Sequence, residues 1–180
     1  MNLPTLFGRE PHDPRVAQTP DVVPTAPTEL IATAGATLAA TEAAWDKILS
    51  GVGDDADARA VAHLMLRASR PSADPFYDNI ATLVIELALL HLQARLCGAP
   101  MGETLGLAVL RDFFRTGPAE HLIGVFQHSA DLTVRDTADG VLATLLTHDR
   151  LRASAFIEAA VRVNALAYTP PPTVDSVRGV

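Results

Sequence analysis

The chain has 180 residues, 48% of them apolar and only 5% aromatic, with a formal net charge of −7. That length suits one domain with a proper core, or one domain and a tail, and the scarcity of aromatics beside abundant alanine favours closely packed helices over a sheet. Lys47 is the only lysine, so the chain is a poor binder of phosphate backbones, and its negative surface steers basic partners toward it.

Residues 1–27 carry Pro4, Pro11, Pro14, Pro20, Pro24 and Pro27 with little apolar periodicity. They are expected to form an extended tail or linker, with Leu3, Leu6 and Phe7 as anchors if it docks. Residues 28–168 are expected to form an all-α domain, a single bundle of about seven helices, followed by a linker over 169–180. Thr28 can cap a first helix to about Leu49, with Leu30, Ile31, Ala34, Leu38, Trp45, Ile48 and Leu49 at roughly helical spacing. Gly51-Val-Gly53 ends it. Asp54 and Asp55 open a second helix to about Ala68, with Val61, Leu64 and Met65 inward and acids that complement the helix dipole.

The third helix is the best specified. Asp74 is a good N-cap and Pro75 falls at the first helical position, where its missing N–H costs nothing. From Ile80 to Leu92 the residues are apolar almost all round, so other helices or lipid must enclose them. Glu86 and His91 interrupt the run and Asp78 and Arg95 flank it, which argues for the centre of a soluble bundle. Gly98 is suited to stop it. Further helices are expected over about Glu103–Phe114 (Leu107, Leu110, Phe113, Phe114 inward) and Pro118–His128 (Leu122, Ile123, Val125, Phe126). Two more follow, over Thr133–Leu146 (Thr133 as cap; Val141, Leu142, Leu145, Leu146) and Arg152–Ala167 (Phe156, Ile157, Val161, Leu166).

Motifs that carry chemistry are scarce. No phosphate-gripping loop precedes the lone lysine, and Gly51-Val-Gly53 with its two following aspartates reads as an interhelical turn rather than a dinucleotide fingerprint. The six histidines form no helical zinc pair beside a glutamate, and His91 reads as a core-edge imidazole with one partner. Glu86, in an apolar helix, needs a wet edge or a mate such as Arg59 or Arg67. Cys97 cannot form an internal disulfide and reads as a small apolar residue, compatible with a reducing compartment. Trp45, Phe113 and Phe114 read as core. No catalytic, metal or cofactor residue is assigned. No secretory signal is expected at the N-terminus.

Asp74-Pro75-Phe76-Tyr77-Asp78-Asn79-Ile80-Ala81, with the apolar helix that follows, resembles a segment of the TraG/TraD-type coupling proteins of type IV secretion. Asp57-Ala-Arg59-Ala-Val-Ala62, Thr104-Leu105 with Leu107 and Leu110, and the stretch from Thr133 to Leu146 are similar in order and spacing. The likeness spans roughly Asp54 to Ala167. It implies the all-α domain that such membrane-tethered hexameric ATPases insert in their nucleotide-binding domain, here without phosphate loop, acidic magnesium-binding strand or transmembrane helices. In that family the domain sits at the cytoplasmic mouth of the hexamer and is implicated in recognising relaxases and effector proteins.

The expected function is therefore a non-enzymatic, cytoplasmic substrate-recognition domain for conjugation or protein translocation. It would bind relaxase or effector proteins through basic signals and belong with a coupling ATPase if the chain is part of a longer protein, without direct nucleic-acid binding or membrane insertion. The candidate contacts are Asp54, Asp55, Asp57, Asp131, Asp136 and Asp139, acids at helix starts. The alternative is a small-molecule-binding regulatory domain with His91, Trp45 and Phe113 lining a pocket. A helical enzyme would need clustered acid–base groups.

Overall fold

The computed structural model describes residues 27–69, 74–97, 103–143 and 147–172, with side chains from residue 34 onward. The expected tail anchors, the Thr28 cap side chain, Leu30, Ile31, Gly98, Leu145 and Leu146 lie outside what is described. Seven α-helices make up the described chain: α1 Pro27–Leu49, α2 Asp55–Ala68, α3 Pro75–Leu96, α4 Leu107–Arg115, α5 Ala119–Gln127, α6 Leu132–Thr137 and α7 Asp149–Ala165. A π turn, Ala138–Leu142, prolongs α6, and a 3-10 turn, Leu166–Tyr168, ends α7. There is no strand among the described residues, and the fold is all-α.

The third helix is central, as its composition requires. The Asp74 side chain accepts the Phe76 N–H at 2.9 Å and Pro75 takes the first position. Ile80, Ala81, Val84, Ile85, Leu87, Ala88, Leu89, Leu90 and Leu92 are then buried, against α2 and α7 most extensively and against α4, α5 and α6 as well. By length and composition α3 alone among the described helices could cross a membrane, but in this fold its apolar surface is covered by protein. Each fully buried Leu, Ile or Val contributes about 1.5–3 kcal/mol, so the helix tolerates the one carboxylate in its middle. Glu86 Oε1 receives the Arg59 guanidinium at 3.1 Å, and Arg59 keeps most of its side chain in water. The hydrogen bond from Arg59, then the Glu86 charge, raises the Arg59 pKa above its ordinary value.

A second ionic group was not legible in the sequence. Arg162 is 2% exposed; its guanidinium pairs with Asp78, reaches Glu158 at 2.8 Å and donates to Ser69 Oγ at 3.1 Å. It joins the end of α2, the start of α3 and the last turn of α7. Buried charge persists only when paired in this way.

Several expectations are corrected. The fourth helix starts at Leu107 rather than Glu103, because Asp46 of α1 supplies its cap: Oδ1 accepts the Leu107 N–H at 2.6 Å. Gly106 permits that approach, since a Cβ there would lie 2.8 Å from the same oxygen. Asp131, not Thr133, caps α6, accepting the Val134 N–H at 3.0 Å. The π turn then leaves Val141 exposed. On α7 the inward side is Ala155, Phe156, Ala159, Arg162 and Val163; Ile157 and Val161, expected in the core, are 61% and 58% exposed. Successive helical residues differ by about 100°, so Phe156 and Ile157 cannot share a face, and Arg162 occupies the inward position next to Val161.

In α1, Thr41, Trp45 and Leu49 are buried, whereas residues 34–40 are exposed apart from half-buried Leu38. Ala34 is thus another correction: this stretch of α1 stands clear of the bundle. Trp45 is fully buried and its indole N–H donates to the Thr169 carbonyl at 2.8 Å. In α2 the tightest contacts come from Ala58, Ala62 and Met65, with Val61 and Leu64 half-buried.

Candidate protein-binding end of the bundle

Two pairings fix the direction of α2. Arg59 meets Glu86, and Ser69 shares Arg162 with Asp78, so α2 runs antiparallel to α3 and its start lies beside the C-terminal half of α3. The α5–α6 turn reaches the same end, because His91 Nδ1 lies 3.0 Å from Ser129 Oγ. Thr133 Oγ1 then donates to Asp55 Oδ2 at 3.4 Å. The starts of α2 and α6, separated by 78 residues at the Asp55–Thr133 contact, thus adjoin.

The six aspartates named from sequence divide by local role. Asp54 caps α2, its Oδ1 accepting the Asp57 N–H at 2.9 Å, and Asp57 Oδ2 accepts the Gly53 N–H at 3.1 Å. Asp55 is exposed and touches Thr133. Asp131 is half-buried and occupied as a cap. Asp136 and Asp139 are exposed further along α6 and the π turn. Asp54, Asp55, Asp57 and Asp131 are therefore gathered at one end, while Asp136 and Asp139 extend from it.

His91 joins α3 to the α5–α6 turn at this end. Its ring packs against Phe113 at 5.7 Å and Phe126 at 6.2 Å between ring centroids, and burial, with a smaller effect of Arg95, lowers its pKa from the ordinary histidine value. Ser129 Oγ also accepts the Asp131 N–H at 3.3 Å, which leaves its own hydrogen for the imidazole Nδ1. Ser129 is 2% exposed. This is a structural pair, since a nucleophile needs access to its substrate.

Next to His91, the end of α3 and the outer side of α4 enclose a cleft of about 490 Å³. Leu92, Leu96, Val109 and Phe113 supply its apolar surface; Arg95, Glu103 and Asp112 supply charge, with Thr104 and Thr116 beside them. Of the three residues expected to line a small-molecule pocket, Phe113 does so, whereas Trp45 is sealed against Thr169 and His91 faces Ser129. None of Glu103, Asp112 and Arg95 was named as a site residue from sequence. Their signal was weak: they are ordinary surface residues until the α3–α4 junction brings them together. Among the described residues no three His, Cys, Asp or Glu side chains converge in a way that would hold a metal ion. Cys97, read from sequence as a small apolar residue, is exposed at the end of α3.

The class defined by these observations is an all-α bundle with an acidic end and an adjoining mixed cleft. No family model, no curated protein and no solved structure matches this chain.

Proposed function

We propose that this chain is a protein-recognition domain that receives basic segments of other proteins. In the particular form suggested by its Asp74 segment, it acts as the all-α substrate-recognition domain of a type IV secretion coupling protein, with relaxases or effector proteins as cargo. The observation that carries the binding reading is the contact between Thr133 and Asp55, which adds the start of α6 to the acids of α2. Exposed carboxylates in one place on a chain of net charge −7 raise the encounter rate with cationic partners and select against anionic ones. No chemical step is assigned to it.

Titration with a labelled arginine-rich peptide tests this reading. Affinity should fall as salt rises past the range where the screening length is about 10 Å, and should fall further in Asp55→Asn with Asp57→Asn. Equal binding of an acidic peptide of the same length would overturn it. The α3–α4 cleft supports a second reading, a small-molecule-binding regulatory domain, because its volume falls within the ~300–1,000 Å³ common for ligand pockets. Stabilisation by a compound whose contacts map to Phe113 and Val109 would favour that alternative.

A further inference from the structure

The geometry points to the α3–α4 cleft as the anchor site for the bound segment, taking a lysine or arginine side chain together with an adjacent apolar residue. This rests on the preceding reading that the partner segment is basic, and adds where and how it is held.

Position is the first argument. Leu92 follows His91 directly, and His91 is bonded to the turn that carries the Asp131 cap. The cleft therefore lies at the same end of α3 as the acidic group. Chemistry is the second. Lysine and arginine have an apolar stem and a charged head, and favour sites where the two are treated differently. Here half-buried Leu96 and the small accessible edges of Leu92 and Phe113 offer apolar surface to the stem, and Glu103 and Asp112, the latter also paired with Arg115 at 3.6 Å, offer carboxylates to the head. The exposed edge of Val109, 37% accessible, leaves room for the neighbouring apolar side chain.

Arg95 narrows the choice of occupant. A ligand carrying only positive charge would meet its guanidinium, and a purely anionic one would meet two carboxylates. An extended peptide answers both: its cationic head faces Glu103 and Asp112, while its backbone carbonyls accept from Arg95.

The test uses a capped peptide alternating arginine and leucine, with matched peptides in which every leucine or every arginine becomes serine. Binding to the full chain is read by fluorescence anisotropy and located by NMR shifts of the Leu92, Val109 and Phe113 side chains. Val109→Arg should weaken the arginine–leucine peptide by about tenfold or more, and Glu103→Gln with Asp112→Asn should reduce its preference over the leucine–serine peptide. Circular dichroism checks that each variant is folded, and the carboxamide pair supplies the result if Val109→Arg is not. Unchanged affinity in the cleft variants, with loss in Asp55→Asn and Asp57→Asn, would overturn the anchor site while leaving the acidic-end reading intact. No binding to the unaltered chain at low salt would overturn both. Concentration-dependent self-association abolished by Val109→Arg would assign the cleft to a second copy and overturn this inference.

Discussion

Asp46 on α1 caps a helix that begins sixty-one residues later, its Oδ1 accepting the Leu107 N–H at 2.6 Å. A cap supplied by another helix fixes the start of α4 and, through it, the cleft wall that carries Val109 and Asp112. Loss of a capping side chain costs about 0.5–2 kcal/mol. Asp46→Ala should therefore lower unfolding free energy by about 1–2 kcal/mol in urea denaturation and speed hydrogen exchange at the Leu107 amide. Gly106→Ala should produce a similar loss, because its Cβ would press on the Asp46 carboxylate; an unaffected midpoint in both variants would refute the long-range cap.

Arg162 presents the opposite balance, a charge held almost completely out of water. Removing one member of a buried ionic group costs about 3–5 kcal/mol because the others lose their partner. The carboxylates of Asp78 and Glu158 retain some exposure, so Arg162→Met is expected at the lower end, about 3 kcal/mol by chemical denaturation. Replacing Asp78 and Glu158 by Asn and Gln in the same chain should recover part of that loss. A loss no larger than that of an exposed arginine would show that the cluster contributes little.

For His91 the sign of the pH dependence follows from the lowered pKa of its folded form. The unfolded histidine, near pKa 6.5, takes up a proton at a higher pH than the folded one. In the interval between those values the unfolded chain binds more protons, so unfolding free energy rises with pH. The stabilisation from a neutral buried imidazole is fully present above about pH 6.5 and is lost as pH falls toward the folded value. NMR titration of the His91 ring should give a midpoint below 6.5, and His91→Gln should flatten the stability profile across that interval. A midpoint above 6.5 would contradict the burial argument.

Ile157 and Val161 provide a test of the corrected α7 face. Both are mostly exposed, so Ile157→Ser and Val161→Thr should each change stability by no more than about 0.5 kcal/mol. Phe156→Ala, one residue from Ile157 but on the inward side, should cost about 3–5 kcal/mol. Thermal denaturation separates the two outcomes readily.

Legibility in the sequence followed the range of the governing interaction. The Asp54 and Asp74 caps, the Gly51–Gly53 break and the enclosed α3 are local signals, each written within a few neighbouring residues, and the structure has them in place. The pairing of Glu86 with Arg59 was available as one of two mates because burial demands a partner. Signals failed where a distant residue decided the outcome. Glu103 resembled a helix start, but Asp46 set it at Leu107; Val161 was apolar, but Arg162 won the inward position by finding Asp78, Glu158 and Ser69. Among the six candidate aspartates, charge was legible from composition, whereas the adjacency of Asp55 and Thr133 required the antiparallel course of α2 along α3. The cleft was invisible for the same reason, since its charged residues come from separate parts of the chain.

The Trp45 indole bonded to Thr169 has a topological consequence. It clasps the first helix to the end of the last described turn, closing a loop of 124 residues with one hydrogen bond, and the entropic cost of such a closure grows only slowly with its length. Trp45 is also the chain's only tryptophan, placing its single indole fluorophore at that clasp. A red shift of its emission ahead of the loss of helical signal would mark release of the clasp before the interior melts, and coincidence of the two would show that clasp and interior form one cooperative unit.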